Sequence, residues 1–348
     1  MKVGLVGAGD VAHFGHVPAL LQAGFGFAGV FDPDAVRRER TATDIGCPGF
    51  ETLEGLLDAK SDVLVIASPP AAHEAAVLAA AERKIPVLCE KPLADSVEAG
   101  GRMIRAMAEA KTLLMVGFVY RFSPVAMQIR DWVKEGIVGK VHALRLIYDW
   151  DLHGEWFESS PGVWERSPRW VGRMLEGGPL VDCGVHQIDL ARWWLGTELT
   201  LESAAGGWVS TFDAPDHVYG HFRGADGSLT SVETSFTFGH TSKDVAPIFT
   251  YDLVGDGGIL HYNRNGYVLE ARTGQGTVRR PGASEKNFEG MARALWRAIE
   301  TGEQGDLATG QDGLAATQLA IAATEAAIRQ RKSLPKPKAP RGGKSAKA

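Results

Sequence analysis

The 348-residue sequence is poor in cysteine: Cys47, Cys89 and Cys183 are an odd number with no C-x-x-C spacing. That excludes a disulfide framework and a cysteine-built zinc site, and the three read as small buried apolar residues. Long apolar runs are missing as well. "DVLVIASPPAA" and "TLLMVGF" fall short of the roughly 20 residues of a membrane span, and Met1 runs straight into a strand-like stretch without a signal-peptide layout. The expectation is a cytoplasmic protein with no membrane partner. Acidic residues outnumber basic ones outside the end of the chain. The formal net charge is −5, yet residues 335–348, "PKPKAPRGGKSAKA", carry five basic residues and no acid, so the rest sums to −10. A body of that sign argues against nucleic acid. The basic stretch has no apolar area to bury and reads as a disordered tail.

What is present is ordinary globular material, 45% hydrophobic and 23% charged, in a length that suggests two domains. From Met1 to about Gly117, the short apolar runs "KVGLVG", "FAGVF", "DVLVIAS", "IPVLCE" and "TLLMVGF" alternate with helix-forming segments. Repeated β-α alternation predicts a doubly wound parallel sheet with helices on both faces. After "RFSPVAMQIRDWVKEG", a helix closed by Gly136, the pattern changes. Seven strand-like runs follow, from "KVHALRLIYDWDL" to "GYVLEART", separated by turn signals such as "GADGS" and "GDGG". They predict a largely antiparallel sheet, with helices at about 285–301 and 309–331 closing the chain. The expected boundaries are 1–121, 122–334 and the tail 335–348.

"GLVGAGDVA" sets Gly7, Gly9 and Ala12 in the G-x-G-x-x-G/A pattern directly after the first strand. Gly7 permits the tight turn, Gly9 lets a pyrophosphate approach the backbone, and Ala12 allows close helix–strand packing. Gly7, Ala8, Gly9, Asp10 and Val11 then face the phosphates at a helix N-terminus. Asp32 ends the second strand, where a carboxylate accepts from ribose hydroxyls and repels a 2′-phosphate, favouring NAD over NADP. Arg37 and Arg38 follow and read as a solvated helix face.

"VLCEKPL" puts Lys91 beyond the carboxyl end of the fifth strand, where ligands of open α/β sheets bind, with Glu90 and Pro92 beside it. A second polar group lies in "GGPLVDCGVHQID", where Asp182, His186 and Asp189 fall on one face if the stretch is helical. Metal ligands, a buried structural network and an acid/base pair all fit that spacing, although no cysteine cluster or second histidine lies nearby to complete a metal site.

Four segments, "VGLVGAGDVA", "ASPPAAHEAAVLAAAERKIPVLCEKPLA", "VGFVYRFSPVAMQIRDWVKEGIVGKV" and "GGPLVDCGVHQIDLARWWLG", stand in one order from residue 3 to about 196. Together they resemble the Gfo/Idh/MocA family of oxidoreductases. The resemblance implies an α/β fold: an N-terminal Rossmann domain with a doubly wound parallel sheet, then a C-terminal α/β domain with a large, mainly antiparallel open sheet. It further implies hydride transfer to or from sugars, cyclitols or related polyols, and a homodimer or homotetramer built through that open sheet. Lys91 matches the family lysine of "EKP", and Asp182 and His186 match the acid and histidine of "D-x-G-x-H". Ser68, Pro69, Pro70 and His73 match the loop on the nicotinamide side, with Glu90 and Arg121 joining the cofactor set. Tyr120 and Arg121 match the pair after the sixth strand. Val119 and Pro179 depart from the family pattern, where Asn and a third Gly are common.

On this reading Lys91 polarises a substrate hydroxyl, His186 takes its proton, and Asp182 orients the imidazole or binds a neighbouring hydroxyl. Asp189 reads as structural, bonded to backbone or to Arg192. Trp150, Trp156, Trp164 and Trp170 cluster before "GGPL", and flat rings suit the apolar faces of pyranoses. Tyr120, His153 and Trp170 complete the expected substrate contacts, and Arg169 is a further polar candidate. Two other functions fit the same motifs: an NAD-dependent glycosidase using transient oxidation, and a non-catalytic nucleotide sensor.

Overall fold

The short apolar runs of the first third become strands buried on both faces, as a central parallel sheet demands. A computed structural model describes residues 1–152, 156–160, 163–166, 169–238 and 247–333, with backbone alone for 156–160, 163–166, 169 and 333. It contains β1 (Lys2–Val6), β2 (Gly26–Phe31), β3 (Gly49–Phe50), β4 (Val63–Ile66), β5 (Val87–Cys89) and β6 (Leu114–Val116). These lie parallel in the order β3-β2-β1-β4-β5-β6. Between them run α1 (Val17–Gln22), α2 (Ala35–Ile45), α3 (Leu53–Asp58), α4 (His73–Glu82) and α5 (Val97–Glu109). Helix α2 starts where Asp34 accepts from the amides of Val36 and Arg37, and stops at Gly46, whose φ is +67°. Strand β3 was not anticipated, because a two-residue strand carries no periodicity. Strand addition reverses at β1, and the crevice opens beyond the carboxyl ends of β1, β4 and β5.

After α6 (Pro124–Lys134) the chain builds β7 (Val141–Asp149), the hairpin β8 (Trp156–Ser160) and β9 (Val163–Arg166), then α7 (Arg169–Leu175) and α8 (Val185–Leu195). It continues with β10 (Leu199–Gly207), β11 (His217–Gly224), β12 (Leu229–Ser235), β13 (Ile248–Gly255), β14 (Gly258–Asn263), β15 (Val268–Thr273) and β16 (Gly276–Pro281). The second sheet has the order β10-β11-β12-β7-β13-β14-β15-β16. All its pairs are antiparallel except β12 with β7, between which the chain leaves the sheet for α7 and α8. The seven expected runs are present as β7 and β10 to β15. Edge strand β16 escaped notice because every residue in it is exposed, so no apolar face marks it.

The chain closes with α9 (Phe288–Thr301), β17 (Ala308–Thr309) and α10 (Gly310–Ser333). Strand β17 returns to the first sheet, Ala308 pairing with Val116 and Thr309 with Met115. One buried core runs under both sheets, and a smaller cluster of Leu152, Met174, Cys183, Ala214 and Phe236 sits beside α7. Among the described residues, no helix is long and apolar enough to cross a membrane. The basic stretch 335–348 lies outside the described residues.

Candidate active site

The glycine turn after β1 has the geometry its sequence calls for. Gly7 adopts φ +91°, and a Cβ there would sit 2.7 Å from the backbone carbon of Ala67 and the nitrogen of Ser68. Gly9 has open space where its Cβ would point. The Asp32 carboxylate is buried at the end of β2, accepting from the Ala8 amide at 2.8 Å and the Asp34 amide at 2.8 Å. Each oxygen keeps a further lone pair for a ribose hydroxyl. Arg38 departs from expectation: it is buried, and its guanidinium donates to the Asp32 carbonyl at 3.0 Å. Arg37 is exposed and pairs with Asp34 at 3.5 Å. A hollow of about 290 Å³ beside Ala8, Gly9 and Arg37 adjoins a crevice of about 640 Å³ that runs past Ser68 to Pro70 and Lys91 to His186. The two together have the volume and the glycine floor that a dinucleotide needs.

These two glycines separate structure from ligand. Gly7→Ala is expected to destabilise the protein by about 1–3 kcal/mol through forced backbone strain. Gly9→Ala should leave thermal unfolding unchanged while weakening NADH binding by about tenfold or more, since its methyl group meets only the ligand. Thermal unfolding and NADH fluorescence titration read the two effects.

Across the crevice, the stretch that holds Asp182 and His186 is helical, a wide turn at Leu180–Gly184 leading into α8. Lys91 reaches it from β5: its ammonium donates to Asp182 Oδ1 at 2.8 Å and to the Asp182 carbonyl at 2.9 Å. Two of the three N–H bonds are thereby used and one remains. Burial opposes charge on both partners, but each holds the other ionised. The Lys91 pKa is raised above the ordinary lysine value, and the Asp182 carboxyl lies well below the carboxylate range, with Arg173 at 3.7 Å assisting. Asp182 therefore orients Lys91, and makes no hydrogen bond to the imidazole.

His186 is 3% exposed and carries no hydrogen bond. Its Nδ1 is sealed off, which leaves Nε2 as the ring atom facing the crevice. Burial first, and then the charges of Lys91 and Lys286, push its pKa well below the ordinary histidine value, so the ring is neutral near pH 7. The rings of Tyr120 and Phe118 pack edge-on against it at 5.0 and 5.8 Å.

The stretch's third polar residue goes elsewhere. Asp189 receives two hydrogen bonds from the Arg121 guanidinium, at 2.8 and 2.6 Å, and Arg192 pairs with Glu198 and Asp312 instead. Arg121 is thus spent in a buried pair and is not brought to the cofactor crevice. His73 is also off the wall: fully buried, its two ring nitrogens face the carbonyls of Ser68 at 2.8 Å and Leu93 at 3.0 Å, tying together the loops after β4 and β5. Tyr120 is buried behind His186, and Trp170 packs on Phe212 at 5.2 Å, away from the crevice lining. Trp150 does line it. His153 lies outside the described residues, as do the side chains of Trp156, Trp164 and Arg169. Glu90 lines the crevice, bonded to His16 at 2.8 Å and to the Lys91 amide at 3.1 Å, so it fixes the lysine's backbone.

Among the crevice residues not foreseen are Tyr148, Arg173 and Lys286. Tyr148, near the end of β7, and Trp150, just past that end, are two residues apart and both reach the crevice, a period-two signal present in "LIYDW". Arg173 on α7 and Lys286 ahead of α9 had no local signal at all. Among the described residues, the only His, Cys, Asp and Glu group with metal-ligand spacing is Asp149, His217 and Glu233, away from this crevice.

Comparison with known proteins agrees with this architecture. Residues 1–118 match the model of the oxidoreductase family with an NAD-binding Rossmann fold, and residues 126–261 match the GFO/IDH/MocA C-terminal domain. Inositol 2-dehydrogenase 4 of Saccharopolyspora erythraea is 32% identical over 240 residues, 68% of this chain and 64% of that protein. The rhizopine catabolism protein MocA of Rhizobium meliloti is 31% identical over 201 residues, 57% of this chain and 58% of that one. The match therefore spans less than two thirds of either relative. A levoglucosan dehydrogenase solved with NADH and levoglucosan shares the fold at a TM-score of 0.80 and 21% identity, over 95% of this chain and 98% of that one. With both domain models of one family matched in order over well over half its length, the chain belongs to the GFO/IDH/MocA oxidoreductase family.

Proposed function

We propose that the protein is an NAD-linked dehydrogenase acting on a secondary alcohol of a sugar, cyclitol or related polyol. The observation that carries this reading is the pairing, in one crevice, of a charged lysine with one unused N–H and a buried neutral histidine with none of its bonds made. Bound NAD supplies the hydride acceptor. Lys91 donates its free N–H to the substrate hydroxyl oxygen and stabilises alkoxide character as it develops. His186 Nε2 takes the hydroxyl proton, and Asp182 keeps the ammonium aimed while offsetting part of the charge that forms on the ring. Tyr148 and Trp150 offer ring faces to the apolar side of a cyclic polyol.

NAD is preferred over NADP because the Asp32 carboxylate stands where a 2′-phosphate would go, and Arg37 is already paired with Asp34. The protein works as a homo-oligomer through the open face of the second sheet, where Val254 and Ile259 are exposed. Three free thiols suit a reducing cytoplasm.

A panel of sugars, cyclitols and sugar acids with NAD and with NADP, read as reduced-cofactor absorbance, tests the reading. At least one polyol is expected to reduce NAD faster than NADP. Release of free sugar from an aryl glycoside with no accumulation of reduced cofactor would replace this reading with the glycosidase one.

A further inference from the structure

Among the described residues, the ionic groups at the substrate end of the crevice are paired, with one exception. Lys91 holds Asp182 at 2.8 Å, Arg173 holds Glu176 at 2.9 Å, and Glu90 holds His16 at 2.8 Å. Lys286 lines the same crevice from the turn ahead of α9 and makes no hydrogen bond or ion pair. Its side chain is open to the crevice solvent. Desolvation by the walls, followed by the charge of Lys91, holds its pKa below the ordinary lysine value. A lone lysine on a convex surface needs no partner. One that faces a second ammonium inside a concavity is repelled by it, and an incoming anion relieves that repulsion.

We propose that Lys286 is the receptor for a carboxylate on the substrate, so that the dehydrogenase reading above, on which this inference rests, narrows to polyhydroxy acids such as uronic or aldonic acids. The charge balance favours a monoanion. Asp182, Glu176 and Glu90 stand around the same space, and their carboxylates would repel a phosphate dianion that one free ammonium could not neutralise. The arrangement divides the work. Lys91 and His186 address the reacting hydroxyl, and Lys286 fixes the opposite end of the substrate and so selects which carbon is presented.

The test uses the full-length protein saturated with NADH, titrated calorimetrically with D-glucuronate against D-glucose and D-galacturonate against D-galactose. The wild type should bind each acid about tenfold or more tightly than its neutral partner, with the preference shrinking as salt approaches a Debye length of about 10 Å at 0.1 M. Lys286→Met should abolish the preference while leaving neutral-sugar and NADH affinities unchanged, and Lys286→Arg should retain most of it. Equal binding of acid and neutral sugar by the wild type overturns the proposal, as does a preference that persists in Lys286→Met. Weakened NADH binding in Lys286→Met also overturns it, since the lysine would then serve the cofactor diphosphate. Failure of the dehydrogenase reading looks different: no sugar or acid reduces NAD, whatever the binding preference.

Discussion

Replacing His186 by Ala is expected to lower kcat by about 10²- to 10⁴-fold, the usual worth of a positioned general base. The dissociation constant of NADH should stay within about twofold, because the imidazole lies on α8 across the crevice from the glycine turn. The pH profile supplies the second readout. Burial, Lys91 and Lys286 lower the His186 pKa, so the neutral, proton-accepting form persists to lower pH than for an ordinary histidine. For the wild type, kcat/KM in the oxidation direction should hold level down through about pH 6.5, the ordinary histidine value, and fall only below it. The His186→Ala variant should lose that acidic limb. A variant with near wild-type turnover, or an unchanged limb, would remove His186 from the chemistry.

Lys91→Met carries the other large effect, and it has two parts. Loss of the donor to the developing alkoxide should cost about 10²- to 10³-fold in kcat. Loss of the partner also strands Asp182, a buried carboxylate, with only Arg173 at 3.7 Å, and breaking such a buried pair costs about 3–5 kcal/mol. The parts come apart in Lys91→Met/Asp182→Asn, which removes the stranded charge. Denaturant unfolding should show stability largely recovered in the double variant while turnover remains lost. If turnover returned with stability, Lys91 would be a scaffold residue and the proton path would need another electrophile. Removing the Lys91 charge also takes away one of the groups depressing His186, so the residual activity should lose its acidic limb at higher pH than the wild type.

Much of this site was legible in local sequence because its signals are short-range. The turn at Gly7 and Gly9, the carboxylate at the end of β2, and the lysine at the end of β5 each follow from a strand terminus and the residues touching it. The helical spacing brought Asp182 and His186 to the crevice, although Leu180–Gly184 is wound wider than 3.6 residues per turn and Asp189 faces Arg121 instead. Their partners did not follow. The spacing allowed Asp182 to hold the imidazole one turn away, and the choice went to Lys91, 91 residues distant in sequence. Asp189 went to Arg121, 68 residues distant, which took that arginine out of the cofactor set. His73 was drawn inward by two carbonyls that only the packing of two loops brings together.

The sequence by itself determined the alternation of strands and helices, the glycine turn after β1 and the side chains proposed to react, because these depend on neighbours within a few residues. Tertiary structure alone decided which charges pair and which remains free. Pairing depends on Coulomb energy and desolvation at a few ångströms, and those distances are set by where β5, α7, α8 and the turn before α9 meet. Lys286 makes the point: in sequence it is an unremarked lysine between Glu285 and Asn287, and the fold places it, unpaired, in the crevice that also holds Lys91 and His186.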